Sequence, residues 1–266
     1  MRAMQDNLKK FVVKELQNFV QGNRQNVLAD HDKIPIYDPP LVGFAAARDP
    51  LFEKLKEPEV IGKHHRSPAE WLDRAKTVVS YFLPFSRQVR EPNRSEGLPA
   101  EEWVSARIAG EEFNDAVRRH LVKVLEGLGG KAVAPVLEDA FAVVGFRSNW
   151  SERHAAYAAG LGTFGLSRSL ITVKGCAGRY GSVVTTLNLE PDPRPYKGLY
   201  EGCPWFTDGS CGRCLERCPS GAITRKGKDV RVCSDYLDNV IKPRYRPRYG
   251  CGKCQTAVPC EKASPV

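Results

Sequence analysis

Long apolar runs are what this 266-residue chain most plainly lacks. Its longest wholly hydrophobic stretches are only a few residues, against the ~20 needed to cross a bilayer as a helix, so no membrane-spanning helix is expected. Residues 1–20 also lack the uninterrupted apolar core of a secretory signal. The expected compartment is therefore the cytoplasm, where thiols stay reduced. Histidine is scarce, five in all. The adjacent pair His64-His65 cannot converge on one ligand, because neighbouring side chains leave a regular element on different faces; the pair reads as surface or cap residues. Cysteine is nearly absent from the first 202 residues, where Cys176 stands alone and reads as a small packed hydrophobe rather than a nucleophile.

The last quarter of the chain is where cysteine is concentrated: Cys203, Cys211, Cys214, Cys218, Cys233, Cys251, Cys254 and Cys260. Cys211-Gly-Arg-Cys214-Leu-Glu-Arg-Cys218-Pro219 has the C-x2-C-x3-C-P spacing with which bacterial ferredoxins hold cubane clusters, the last cysteine of the run serving the neighbouring cluster. Eight thiolates suffice for two [4Fe–4S] clusters. The crossover pattern assigns Cys203, Cys211, Cys214 and Cys260 to one, and Cys218, Cys233, Cys251 and Cys254 to the other. The usual run carries a further cysteine where this chain has Asp208, so Cys203 takes the first position with Asp208 as the alternative. Cys260 departs most from the pattern, since Pro259 precedes it instead of following it. A single zinc ribbon built on the two C-x2-C pairs would leave five cysteines idle. A disulfide framework suits small secreted chains with even cysteine counts, and this chain has nine.

Forty basic and 31 acidic residues give a formal charge of +9. Two clusters at about −2 each would cancel much of it, so the charge alone does not indicate nucleic acid. Lys242-Pro-Arg244-Tyr-Arg246-Pro-Arg248-Tyr, with Arg225, Lys226, Lys228 and Arg231 upstream, is the one concentrated basic stretch. It would hold phosphates or an acidic redox partner, or would simply be a solvated loop between cluster ligands.

Along the chain, Met4, Leu8, Phe11, Val12, Leu16 and Phe19 predict an amphipathic helix ending near Gly22. Ser67-Pro68-Ala69-Glu70 is a capping box that starts a helix expected to run to Lys76. Thr77 to Phe82 predicts a buried strand closed by Pro84. Phe113, Val117, Leu121, Val124, Leu125 and Leu128 form a helical stripe ended by Gly129-Gly130. Further strands are expected at 131–136, 170–173 and 182–187. This alternation predicts an α+β fold with α/β character in the core. Pro191-Asp-Pro193-Arg-Pro195 marks a boundary, giving a core over residues 1–195 and a ferredoxin-like two-cluster module over 196–266, too small to fold without its metal.

Trp150-Ser-Glu152-Arg153-His154-Ala-Ala-Tyr157-Ala-Ala-Gly160-Leu-Gly162-Thr163-Phe-Gly165 is the second informative stretch. Its glycines either admit a large planar or phosphate-bearing ligand against bare backbone, or merely end a helix. Glu152-Arg153-His154 is a proton relay, a phosphate clamp, or a buried ion pair. Together with residues 75–85, Ala159–Gly165, Cys211–Ile223 and Cys233-Ser-Asp-Tyr-Leu237, it resembles the epoxyqueuosine reductase family, which is related to reductive dehalogenases. The resemblance implies a core similar to flavin-reductase-like cobalamin-processing domains. It also implies base-off cobalamin lining Gly160, Gly162, Thr163 and Gly165, and clusters that reduce it. Candidate proton donors are Glu152, Arg153 and Tyr157.

Two departures are expected to matter. The family's proton-donating aspartate falls on Phe146 here, and the family's C-terminal tRNA-gripping extension is missing after Cys260. They predict a small-molecule or cofactor substrate instead of tRNA, with electrons supplied by a ferredoxin or flavodoxin. A non-catalytic electron carrier, or a reductive activator of a corrinoid protein or flavoprotein, is the competing reading.

Overall fold

The computed structural model describes residues 2–266, with side chains from Gln5 onward. The Met4 side chain of the expected first stripe lies outside the described part. Helix α1 spans Arg2–Gly22 and buries Val12, Leu16 and Val20. Phe11, counted in the same stripe, is 46% exposed. Helix α2 spans Glu101–Gly127; its buried Phe113, Val117, Leu121 and Leu125 recur at helical spacing and join α1 in one apolar cluster.

These two helices cover one face of a four-stranded sheet. In chain order the strands are β1 (Leu41–Ala46), β2 (Thr77–Pro84), β3 (Ala132–Val133) and, after a short hairpin of β4 (Gly162–Phe164) and β5 (Leu170–Thr172), β6 (Gly178–Thr185). The spatial order is β1-β2-β6-β3, and every pairing is antiparallel. The architecture is therefore a mixed helix-and-sheet fold without the parallel pairing that an α/β core would have. All eight residues of β2 are buried, because both faces of the sheet are covered. Val79, Tyr81 and Leu83 point toward α1 and α2. Val78 packs on the other face with Phe52, Trp150, Ala155 and Ala158, the last two from helix α3 (Glu152–Ala158).

Several expected elements are shorter or placed differently. The capping box at Ser67 is present, but its helix covers only Pro68–Trp71. Leu72 is already extended at φ −142 and Arg74 sits at φ +59, a left-handed turn that cannot continue a helix. The strand expected over 131–136 is two residues long, since Pro135 begins a helical turn and has no N–H for the ladder. His65, expected as a surface or cap residue, is instead 1% exposed and stacks near Trp150.

From Cys203 onward the chain forms short helical turns, a two-stranded hairpin of Ile223–Thr224 with Gly227–Lys228, and consecutive helical segments from Val230 to Tyr245 joined by loops. They are fastened to the core by buried polar contacts. Glu261 accepts from Arg90 at 2.7 Å and Arg94 at 2.9 Å. The buried Lys253 ammonium donates to the carbonyls of Asn93 and Ser95. Gly252, at φ +65, lies under Trp103, where a Cβ would stand 1.9 Å from the indole ring. The basic stretch is partly spent the same way: Arg248 pairs with Asp30 and Glu101, and Arg107 stacks on Tyr249. Arg244 and Arg246 stay exposed.

Candidate functional site

The eight late cysteines fall into two groups in space. Cys203, Cys211, Cys214 and Cys260 line one narrow apolar cavity with Leu166, Ile171, Trp205 and Val258. Cys218, Cys233, Cys251 and Cys254 line a second, of about 250 Å³. Local structure aims them. Cys203 precedes the helical turn Pro204–Thr207, and Cys214 sits in the turn Arg213–Glu216. Cys233 rides on Val230–Tyr236, capped by the Asp229 carboxylate accepting from the Arg231 and Val232 amides. Asp208 lines neither cavity; its carboxylate accepts from the Ser210 amide.

All nine cysteines are free thiols, which removes the disulfide framework. Among the described residues no three His, Cys, Asp or Glu side chains stand close enough to share one metal ion. Burial pushes the Cys214 and Cys251 thiols up to about 12. Four thiols spread around a cavity are the donor set a cubane takes.

The second cysteine cavity adjoins a larger one, of about 420 Å³, and the two share Arg107, Arg153, Ser169, Arg179 and Gln255 as lining. Glu111, Arg118, Trp150, Glu152 and Tyr180 complete the larger cavity. Arg107, Glu111 and Arg118 project from one face of α2, four and seven residues apart. Arg118 is 2% exposed and is met by Asp115 at 2.6 Å, Glu111 at 2.9 Å and Glu152 at 3.3 Å. Burial pushes the Glu152 carboxyl above its ordinary value, while Arg118 and a hydrogen bond from the Ser182 hydroxyl oppose that rise. Burial works the same way on Glu111, but there Arg118 and Arg179 outweigh it and hold the carboxyl low. Arg179 Nε is buried without a hydrogen-bond partner.

The candidate residues from the sequence divide accordingly. Glu152 and Arg153 line the cavity. Tyr157 does not: its ring packs against Phe164 and Tyr196. His154 is bound to the Ser151 hydroxyl at 2.7 Å, and burial depresses it to about 3, so it stays neutral. The glycines line neither the larger cavity nor the second cysteine cavity. A Cβ on Gly162 would stand 2.0 Å from the Ile171 carbonyl oxygen, and one on Gly160, at φ +76, 2.8 Å from that of Pro193. Gly165 faces Ile171 and the Cys203 sulfur, and Thr163 Oγ1 accepts from the Gly202 amide at 2.8 Å. What meets these residues is the protein itself. Phe146 is 56% exposed at the tip of a hairpin beside Val143 and Val144. Sequence reasoning missed Arg107, Glu111, Arg118 and Arg179; the i, i+4 spacing of the first two was the available signal.

No family model matches the chain. Curated relatives do: epoxyqueuosine reductase of Lactococcus garvieae (strain Lg2) is 27% identical over 252 residues, covering 83% of this chain and 65% of the relative. That of Bacillus subtilis (strain 168) is 25% identical over 223 residues, covering 78% and 53%. The chain thus spans about half to two thirds of the length of these relatives. Among solved structures, epoxyqueuosine reductase with an epoxyqueuosine-modified tRNA stem loop matches at TM-score 0.58 and 19% identity, over 98% of this chain and 67% of that one. A catabolic reductive dehalogenase matches at 0.55 and 18%, over 84% and 30%. The expectation that excluded tRNA is corrected by these matches: both curated relatives are epoxyqueuosine reductases, and one structural match was solved with a tRNA stem loop. The expectation gave weight to Phe146 and to where the sequence ends, and neither speaks against the relationship. The chain is a divergent relative of the epoxyqueuosine reductases, built on a fold those enzymes share with reductive dehalogenases.

Proposed function

We propose that this chain is an iron–sulfur oxidoreductase in which two [4Fe–4S] clusters, held by a ferredoxin-like module over residues 196–266, pass electrons to a corrinoid bound against the core of residues 1–195. The observation that carries the reading is the pairing of two four-cysteine cavities, the second opening past Arg107, Arg153 and Arg179 onto a cavity lined by Glu152. The larger cavity lies within the usual size range of small-molecule sites. No histidine lines it, which fits a corrinoid held without an imidazole ligand. Arg107, Arg179 and Gln255 would donate to such a group's amide oxygens. A bound corrinoid would supply low-valent cobalt for the reduction.

The chain's own residues do the rest. Trp150 and Tyr180 wall off water, and Arg118 and Ser182 fix the Glu152 carboxyl at the cavity surface, where it is placed to exchange a proton with a bound substrate. Arg153, which donates to the Arg168 carbonyl, stands between the cysteine cavity and this acid.

Anaerobic purification with metal, sulfide and corrinoid quantification tests the reading. About eight iron and eight sulfide per chain, and a visible-spectrum change on titration with cobalamin, are expected. Stoichiometric zinc without broad visible absorption would overturn it. Eight iron without cobalamin binding would leave the electron-carrier reading. The structurally similar enzyme solved with a tRNA stem loop makes epoxyqueuosine-modified tRNA the first substrate to assay.

A further inference from the structure

The ninth cysteine has no place in either set of four. Cys176 is fully buried, and its Sγ stands 3.7 Å from the Cys260 Sγ, to which it donates. The contact is built from several sides. The Cys176 amide donates to the Cys260 carbonyl at 2.9 Å, and Gln255 Nε2 donates to the Cys176 carbonyl at 3.0 Å. Gly175, at φ +78, lets the chain close on Glu261, where a Cβ would lie 2.3 Å from the backbone oxygen. Glu261 is itself clamped by Arg90 and Arg94.

Resting on the two-cluster reading, we infer that Cys176 is a positioning residue whose S–H donates to the Cys260 sulfur and raises the reduction potential of the cluster held with Cys203, Cys211 and Cys214. The step is a one-electron reduction of the cluster by the donor protein, with no bond made or broken. Negative charge on the ligand sulfurs grows, a hydrogen bond to them strengthens, and the reduced form gains more than the oxidised one. Partners beyond the ligands tune metal sites in this way.

Wild type, Cys176→Ala and Cys176→Ser should be purified anaerobically, assayed for iron and sulfide, and titrated redox-potentiometrically with EPR detection. The expected result is full iron in all three. In the alanine variant one potential falls by roughly tenfold in the reduced-to-oxidised ratio, or about 59 mV for a one-electron couple. The serine variant, which keeps a hydroxyl donor, stays at or above wild type. Unmoved potentials in Cys176→Ala overturn the inference, as do equal falls in both variants, which would make the effect one of packing. Loss of half the iron from Cys176→Ala overturns it too, by making Cys176 a ligand. A wild-type protein without clusters overturns this inference and the proposed function together, whereas a fully loaded wild type with unmoved potentials overturns this inference alone.

Discussion

His65 shows how one buried side chain sets a pH limit. Its ring is 1% exposed, with both nitrogens unpartnered, and burial, aided by His64, depresses it to about 4. The unfolded chain binds that proton near pH 6.5, so stability is complete above about pH 6.5 and falls as the pH drops toward 4. A shift of this size corresponds to about 3 kcal/mol. His65→Phe should flatten the pH dependence of the urea midpoint across that window while leaving the fold intact; an unchanged slope would assign the acid sensitivity elsewhere. The same reasoning by position separates Cys203 from Asp208. Cys203 lines the first cavity and is 7% exposed, whereas Asp208 only turns its own loop through Ser210. Cys203→Ala should lose one cluster, about four iron, and Asp208→Ala none; the reverse by iron analysis would exchange their roles.

At the scale of elements, the glycine turn and the β4–β5 hairpin carry a different lesson. A glycine required for a ligand and a glycine required for a neighbouring strand look the same in sequence, because both need only the missing Cβ. The structure distinguishes them by what the Cβ would meet: for Gly162 it is the Ile171 carbonyl across the hairpin. The hairpin also carries Thr163, which holds Gly202 and so the approach to Cys203. Gly162→Val should therefore lower thermal stability, by about 3 kcal/mol or more as overpacking against backbone, and reduce iron content as well. Loss of corrinoid binding with normal stability and full iron would restore the ligand-lining reading. Each of two cavities gathers the four cysteines that the sequence spacing grouped together, because short spacings along the chain limit which side chains can meet. The Arg107, Glu111, Arg118 and Arg179 group was not legible in the sequence, since it joins α2 to β6 across about 60 residues of chain whose meeting depends on the order of strands in the sheet. The helical stripe of α2 and the buried run of β2 were legible for the opposite reason: periodicity is local.

For the whole molecule, the core is built to stand apart from the clusters proposed for the last quarter of the chain. The core rests on a continuous apolar cluster of α1, α2 and the sheet. From Cys203 to Lys228 the chain has helical turns of four residues, which cannot stand unsupported in water, around a small cluster whose members are largely the cysteines themselves. The far end is anchored where Lys253 and Glu261 bind the segment 90–95, whereas the nearer stretch is tied to that segment through Arg217, which donates to the Asn93 and Ser95 carbonyls. Removing iron by anaerobic chelation should thus loosen residues 204–228 first, leave residues 250–262 docked, and spare the core. Limited trypsin digestion with mass spectrometry should show early cleavage at Arg213, Arg225 and Lys226 in the chelated protein, with the α2 and β6 segments protected in both forms. Identical digestion before and after chelation would mean that thiol packing alone stabilises this region. Early cleavage within α2 would mean that the clusters stabilise the entire fold.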